Sequence, residues 1–188
     1  MRQLILFNLM TLDGFFEGPN RDIDWHNVDE EFNQFSIDQL NSAGCLVFGR
    51  VTYELMASYW PTESARTSDP EVAETMNSIE KIVFSRTLVF SRTLESAGWN
   101  RTRLVRGDAV EELKKLKAQP GQDMFLFGSA NLASSLIPHG LIDELRILVN
   151  PLVIGSGTPL FQRIQEPLQF RLVNTQTFRN GNVLLYYQ

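Results

Sequence analysis

The sequence predicts an α/β fold: a mostly parallel central sheet flanked by helices, with an antiparallel hairpin at its C-terminal edge. Three observations carry that expectation. Short apolar runs alternate with longer stretches of helical period, the pattern of parallel strands joined by right-handed crossovers. The style changes in the last third, where strand-like segments follow one another with no helical stretch between them. Two of those segments flank Arg179-Asn180-Gly181-Asn182, and Asn-Gly between apolar runs is a strong hairpin signal.

Taken in order, the expected strands are Leu4–Asn8, Cys45–Phe48, Lys81–Phe84, Met124–Phe127, Leu145–Ile154, Phe170–Phe178 and Val183–Tyr187. The first helix is expected over Asp29–Asn41, where Phe32, Phe35 and Leu40 fall near one face. A second covers Asp108–Ala118. Asp108 and Glu111 form a capping-box pattern, Val110, Leu113 and Leu116 make the apolar stripe, and Glu111 and Lys115 stand as an i,i+4 pair. A third, Ser129–Ile137, carries Leu132, Leu136 and Ile137 and stops at Pro138-His139-Gly140. The hexapeptide Val83-Phe84-Ser85-Arg86-Thr87-Leu88 recurs at once as Val89-Phe90-Ser91-Arg92-Thr93-Leu94. Six is even, so a duplicated strand keeps Phe84 and Phe90 on one face, as a tandem duplication tolerated near the surface would.

Composition narrows the function classes. At 188 residues, 43% hydrophobic and 21% charged, the chain fits one globular domain and argues against disorder, collagen and coiled coil. Seventeen basic against twenty-two acidic residues leave a net charge of −5, which argues against affinity built on nucleic-acid phosphates. No run approaches about 20 apolar residues, and the apolar start is too short for a signal peptide, so a cytoplasmic protein off the membrane is expected. The lone Cys45 permits no internal disulfide and, with only His26 and His139, builds no structural zinc site. Its place in an apolar strand suggests core packing. The sequon Asn100-Arg101-Thr102 is incidental in such a protein, and metalloprotease, P-loop and serine-hydrolase motifs are absent.

Two segments share a plan of apolar strand, glycine and helix start: Leu46-Val47-Phe48-Gly49-Arg50-Val51-Thr52 and Phe125-Leu126-Phe127-Gly128-Ser129-Ala130-Asn131. Glycine admits a ligand close to the backbone, and a helix start offers unpaired N–H groups at the positive end of a dipole. Arg50 adds a bidentate cation, and Ser85-Arg86 follows another strand. In an open α/β sheet all three would point to the carboxyl edge, where nucleotides bind, although such turns also arise from packing alone. Asp13, just past the first strand among apolar neighbours, either caps a turn or orients a polar heterocycle and relays a proton. Asp24-Trp25-His26 follows, and then Asp29, a candidate helix cap ahead of Glu30-Glu31.

Several further motifs occur in a fixed order. They are Leu12-Asp13-Gly14, Gly49-Arg50-x-Thr52-Tyr53-Glu54, Trp60-Pro61, Ser85-Arg86-Thr87-Leu88, Phe127-Gly128-Ser129, Gly140 to Arg146 and Pro151 to Gly157. From Leu4 to Tyr187 the set resembles the dihydrofolate reductase-like superfamily. Its closest branch is the one named after the C-terminal reductase domain of the bifunctional riboflavin-biosynthesis deaminase-reductase. The resemblance implies an NADPH-dependent reductase, usually a homodimer. Its hydride would go to a heterocyclic or ribosylamino substrate, as in 5-amino-6-(5-phosphoribosylamino)uracil reduction. The alternatives are a dihydrofolate or pterin reductase, or a nucleotide-binding protein without turnover. By motif, Gly49, Arg50 and Thr52 would hold cofactor phosphates, and Ser85 and Arg86 the adenosine 2′-phosphate, with Ser91-Arg92 as the second such pair. Gly128, Ser129, Ala130 and Asn131 would cradle the pyrophosphate. Asp13 would be catalytic and, with Trp25 and Glu30, would border the substrate. Riboflavin reductases commonly carry Val-Glu-Gly-Gly where this chain has Leu126-Phe127-Gly128-Ser129.

Overall fold

A computed structural model describes residues 1–85, 99–162 and 164–188. Its main sheet has eight strands in the order β5-β4-β3-β6-β1-β7-β10-β9. They are β1 Leu4–Thr11, β3 Ala43–Gly49, β4 Glu80–Phe84, β5 Thr102–Val105, β6 Asp123–Phe127, β7 Glu144–Asn150, β9 Leu172–Thr177 and β10 Val183–Tyr187. The six from β5 across to β7 run parallel, and β10 and β9 close the edge antiparallel. The expected architecture is therefore the observed one. A second ribbon pairs β2 (Phe15–Glu17) with β8 (Thr158–Pro159), which the sequence pattern had not suggested.

The inner parallel strands are packed on both faces, as crossover topology requires, while β5 lies half-exposed at the edge. Along β1, Leu4 and Leu6 join the cluster of Leu113, Leu116, Ala133 and Leu136 under the helices α5 (Ala109–Ala118) and α6 (Ala130–Leu136). Ile5 faces the opposite cluster with Ile37, Leu40, Tyr53, Val72 and Met76, under α1 (Glu30–Asn41), α2 (Arg50–Tyr59) and α4 (Pro70–Ser78). The short helix α3 spans Glu63–Ser68. The expected helices differ only at their ends. Asp29 and Asp108 are caps, accepting from the Phe32 and Glu111 amides, and α6 ends at Leu136 before a 3₁₀ turn over Ile137–His139. The expected Glu111–Lys115 pair is not formed. Lys114 binds Glu111 and Lys115 approaches Glu112, both at i,i+3. The strand expected over Leu145–Ile154 stops at Asn150, because Pro151 follows and has no N–H for the ladder.

Cys45 is buried, as expected, and burial raises its thiol pKa. More surprising is Lys81, fully buried in β4. Its ammonium donates to the carbonyls of Ile79 (2.8 Å), Asn100 (3.0 Å) and Asn77 (3.2 Å) and lies 4.5 Å from the centre of the Trp99 ring. Three acceptors use its three donors, which is what makes a charge tolerable there.

Burial, and secondarily Arg101, lowers the Lys81 pKa from 10.5 to about 8. Between those values the unfolded chain binds more protons than the folded one, so stability rises with pH across that window and the penalty is fully present below it. Urea unfolding from pH 7.5 to 10.5 is expected to show that rise in the wild type and a flatter profile in Lys81→Met.

Candidate functional site

The carboxyl ends of β1, β3, β4, β6 and β7 share one side of the sheet because the strands are parallel. Two strand-to-helix turns meet there. Gly49 ends β3 in extended backbone and opens α2, while Gly128 and Ser129 both adopt left-handed backbone, φ +59° and +60°, before α6. The Ser129 hydroxyl accepts the Gly49 N–H at 2.7 Å and donates to the Thr52 hydroxyl at 2.9 Å. A Cβ on Gly49 would lie 2.7 Å from Ser129 Oγ, and one on Gly128 2.7 Å from Thr52 Cγ2. Glycine at both positions is thus a packing requirement for interlocking the turns. The Gly49 amide is spent on that junction.

What the junction leaves open is the start of both helices. Among the described α-helices, α1, α3 and α5 are capped by Asp29, Thr62 and Asp108, and α4 begins at Pro70. Only α2 and α6 begin with neither a side-chain cap nor a proline. Their first-turn amides, on Arg50 to Thr52 and on Ala130 and Asn131, are the donors that suit a diphosphate. Arg50 is exposed, its guanidinium on the Glu54 carboxylate at 2.9 and 3.2 Å. Ser85, half-buried, follows Phe84, the register partner of Gly49, and its N–H donates to Val105. Arg86, Ser91, Arg92 and the repeated hexapeptide's second copy lie outside the described residues.

Asp13, which the sequence leaves between capping a turn and orienting a heterocycle, is exposed. Its carboxylate accepts the Gly155 amide at 2.8 Å and the Ile154 amide at 3.4 Å, tying the loop after β1 to the loop after β7. The Thr11 hydroxyl, and then these amides, hold its pKa below the ordinary carboxylate value. The contact is a tie between two loops, a role beside the turn cap and the heterocycle partner that the sequence offered. Glu30 is exposed in the first turn of α1. With Asp29, Glu31, Asp38 and Arg179 it lines a concavity of about 760 Å³ between α1 and the β9–β10 hairpin.

Trp25 sits on a loop fixed through its neighbour Asn27. The Asn27 amide donates to Asn150 Oδ1, its side chain donates to the Asn180 carbonyl, and its carbonyl accepts from Asn180 and Asn182. The Trp25 and His26 rings meet edge-on at 4.5 Å, with Trp25 Nε1 and His26 Nε2 both buried and without a partner. Burial lowers the His26 pKa from 6.5 to about 4, so the imidazole is neutral at pH 7. Sequence reasoning named His26 only beside Trp25 and passed over Asn27 and Asn8 as site residues. Asn8 alone carried a readable signal, an amide within the otherwise apolar run Leu4 to Met10. No group of three or more His, Cys, Asp or Glu residues placed to hold a metal occurs among the described residues, and no described helix is long and apolar enough to cross a membrane.

The model of the RibD C-terminal domain family matches residues 2–184. The chain belongs to that family. It is 34% identical to the uncharacterized protein YyaP of Bacillus subtilis over 99% of this chain and 94% of that one. Its fold is similar to that of a putative riboflavin biosynthesis protein from Shewanella sp. PV-4. The TM-score is 0.74 at 23% identity, covering 98% of this chain and 97% of that one. A deaminase/5-amino-6-(5-phosphoribosylamino)uracil reductase from Thermotoga maritima matches at a TM-score of 0.70 and 16% identity. That match covers all of this chain and 56% of the other, larger chain.

Because Gly128 combines positive φ with a crowded Cβ position, Gly128→Ala is expected to cost about 1–3 kcal/mol of stability, read by urea unfolding. A loss no larger than that of Gly107→Ala, where no atom lies within 4 Å of the added Cβ, would remove the junction from the account.

Proposed function

We propose that this chain is an NADPH-dependent reductase that delivers hydride to the C=N or C=O carbon of a small heterocyclic or ribosylamino substrate. One observation carries the reading: the two uncapped helix starts stand side by side at the carboxyl edge of the sheet, with Arg50 at the head of one of them. Nitrogen–hydrogen donors and a guanidinium fit a dinucleotide's diphosphate in both charge and hydrogen-bonding sense. Family membership and the reductase named among the structural neighbours support the same class.

In this reading the amides at the starts of α2 and α6 bind the diphosphate, and Arg50 exchanges Glu54 for a phosphate oxygen. Ser85, beside Gly49 in the sheet, stands toward the adenosine side, where a 2′-phosphate would distinguish NADPH from NADH. The coenzyme supplies the hydride when bound, and the protein supplies orientation and exclusion of water. Asp13 holds the two loops at the ends of β1 and β7 at a fixed separation, and the Trp25 loop covers the same edge. Phe127, partly exposed directly before Gly128, is held edge-on by the buried rings of Phe7 at 5.7 Å and Phe48 at 6.3 Å.

For the partner, we propose a second copy of this chain on the β9 edge. Leu172 and Val173 are exposed on opposite faces of that edge strand, and an apolar groove of about 410 Å³ beside it is lined by Phe161, Leu168 and Phe170 among others. An exposed apolar edge is a pairing surface unless something covers it.

Titration with NADPH and NADH is expected to show binding that prefers NADPH, and Arg50→Ala to weaken NADPH about tenfold. Its melting temperature should be nearly unchanged, since an exposed i,i+4 pair contributes little. Equal indifference to both coenzymes at millimolar levels would reject the reading. Oxidation of NADPH by any member of a folate, pterin and ribosylaminopyrimidine panel would separate a reductase from a protein that only binds. Sedimentation should give a dimer for the wild type and a monomer for Leu172→Lys; a monomeric wild type would reject the proposed partner.

A further inference from the structure

Asn8 is an uncharged amide buried in the middle of the sheet, 4% exposed, and its Nδ2 has no hydrogen-bond partner. An unpaired buried donor destabilises the free protein, and so it calls for an explanation. The register gives its position. Phe7 of β1 pairs with Phe127, the last residue of β6, so Asn8 stands one step beyond, alongside Gly128, with Ile147 of β7 on its other flank. Its side chain shares a face with Leu6 and Met10, which belong to the layer under α5 and α6. Asn8 is therefore on the side of the sheet where α6 starts, at the point where β6 stops and its neighbour becomes a residue without a side chain.

The strand order then assigns a ligand. From β4 to β1 the sheet runs β4-β3-β6-β1. Ser85 follows β4, the Gly49–Ser129 junction joins β3 to β6, and Asn8 is on β1. Strands about 4.8 Å apart make this a line roughly 14 Å long. A dinucleotide lying along it with its adenosine end at β4 and its diphosphate at β3 and β6 reaches β1 with its nicotinamide. We infer that Asn8 Nδ2 is a coenzyme-contacting donor that binds the carboxamide oxygen of the nicotinamide and so fixes the ring's orientation on β1. The inference rests on the coenzyme reading above and deepens it.

The same group would explain why an amide is kept in an apolar strand. Asn8→Leu removes the unpaired donor while nearly conserving volume, so it should stabilise the free protein and weaken the coenzyme, two effects of opposite sign. The experiment is a titration of the wild type and Asn8→Leu with NADPH and with 2′-phospho-ADP-ribose, which lacks the nicotinamide, together with melting of the ligand-free proteins. The expected result is NADPH affinity reduced about tenfold, 2′-phospho-ADP-ribose affinity unchanged and the melting temperature raised. Should Asn8→Leu fail to fold, Asn8→Ser is titrated with the same expectation for the two ligands. Unchanged NADPH affinity overturns the inference, and so does an equal loss for both ligands. If the wild type binds neither ligand, the coenzyme reading itself fails, and Asn8 loses its assignment along with it.

Discussion

The hydrogen-bonded junction from the Gly49 amide through Ser129 Oγ to Thr52 Oγ1 is the constraint on which the candidate site depends. It brings two turns that are 79 residues apart in the chain, counted from Gly49 to Gly128, close enough that neither tolerates a Cβ. Ser129 is held in left-handed backbone there, a conformation that costs a non-glycine residue about 1–3 kcal/mol. The interlocked packing and its hydrogen bonds oppose that cost. The consequence is a pair of helix starts whose first-turn amides have no side-chain cap and point to one edge.

The surroundings reinforce that edge. Asp13 ties the loop after β1 to the loop after β7, and Asn27 ties the Trp25 loop to the end of β7 and to the β9–β10 turn. Lys81, spread over three carbonyls and stacked on Trp99, secures β4 to the end of α4. The partners in these contacts are largely backbone groups of loops and helix ends, which have no ladder to satisfy them.

The parallel sheet was legible because burial on both faces leaves nearly continuous apolar runs, and the Arg179–Asn182 turn because Asn-Gly has a specific backbone preference. β5 escaped notice: Thr102-Arg103-Leu104-Val105 lies at the sheet's edge, where the polar residues facing water break the run. The β2–β8 ribbon was too short to show a period. At the site, the glycines could be read from the letters, but their purpose could not. Only the folded chain brings Ser129 to the Gly49 amide, on which that amide is spent. The same holds for Asp13, whose carboxylate meets the amides of Ile154 and Gly155, 141 and 142 residues away in the chain. Asn8 was visible as an exception in a strand, yet its meaning came from register.

The most direct test of the central claim is a backbone amide NMR titration of the full chain with NADPH. The account predicts that the largest shifts fall on the first turns of α2 and α6, at Arg50 to Thr52 and at Ala130 and Asn131. Saturable binding with those amides unmoved, and shifts gathered instead along α1 and the β9–β10 hairpin, would contradict it.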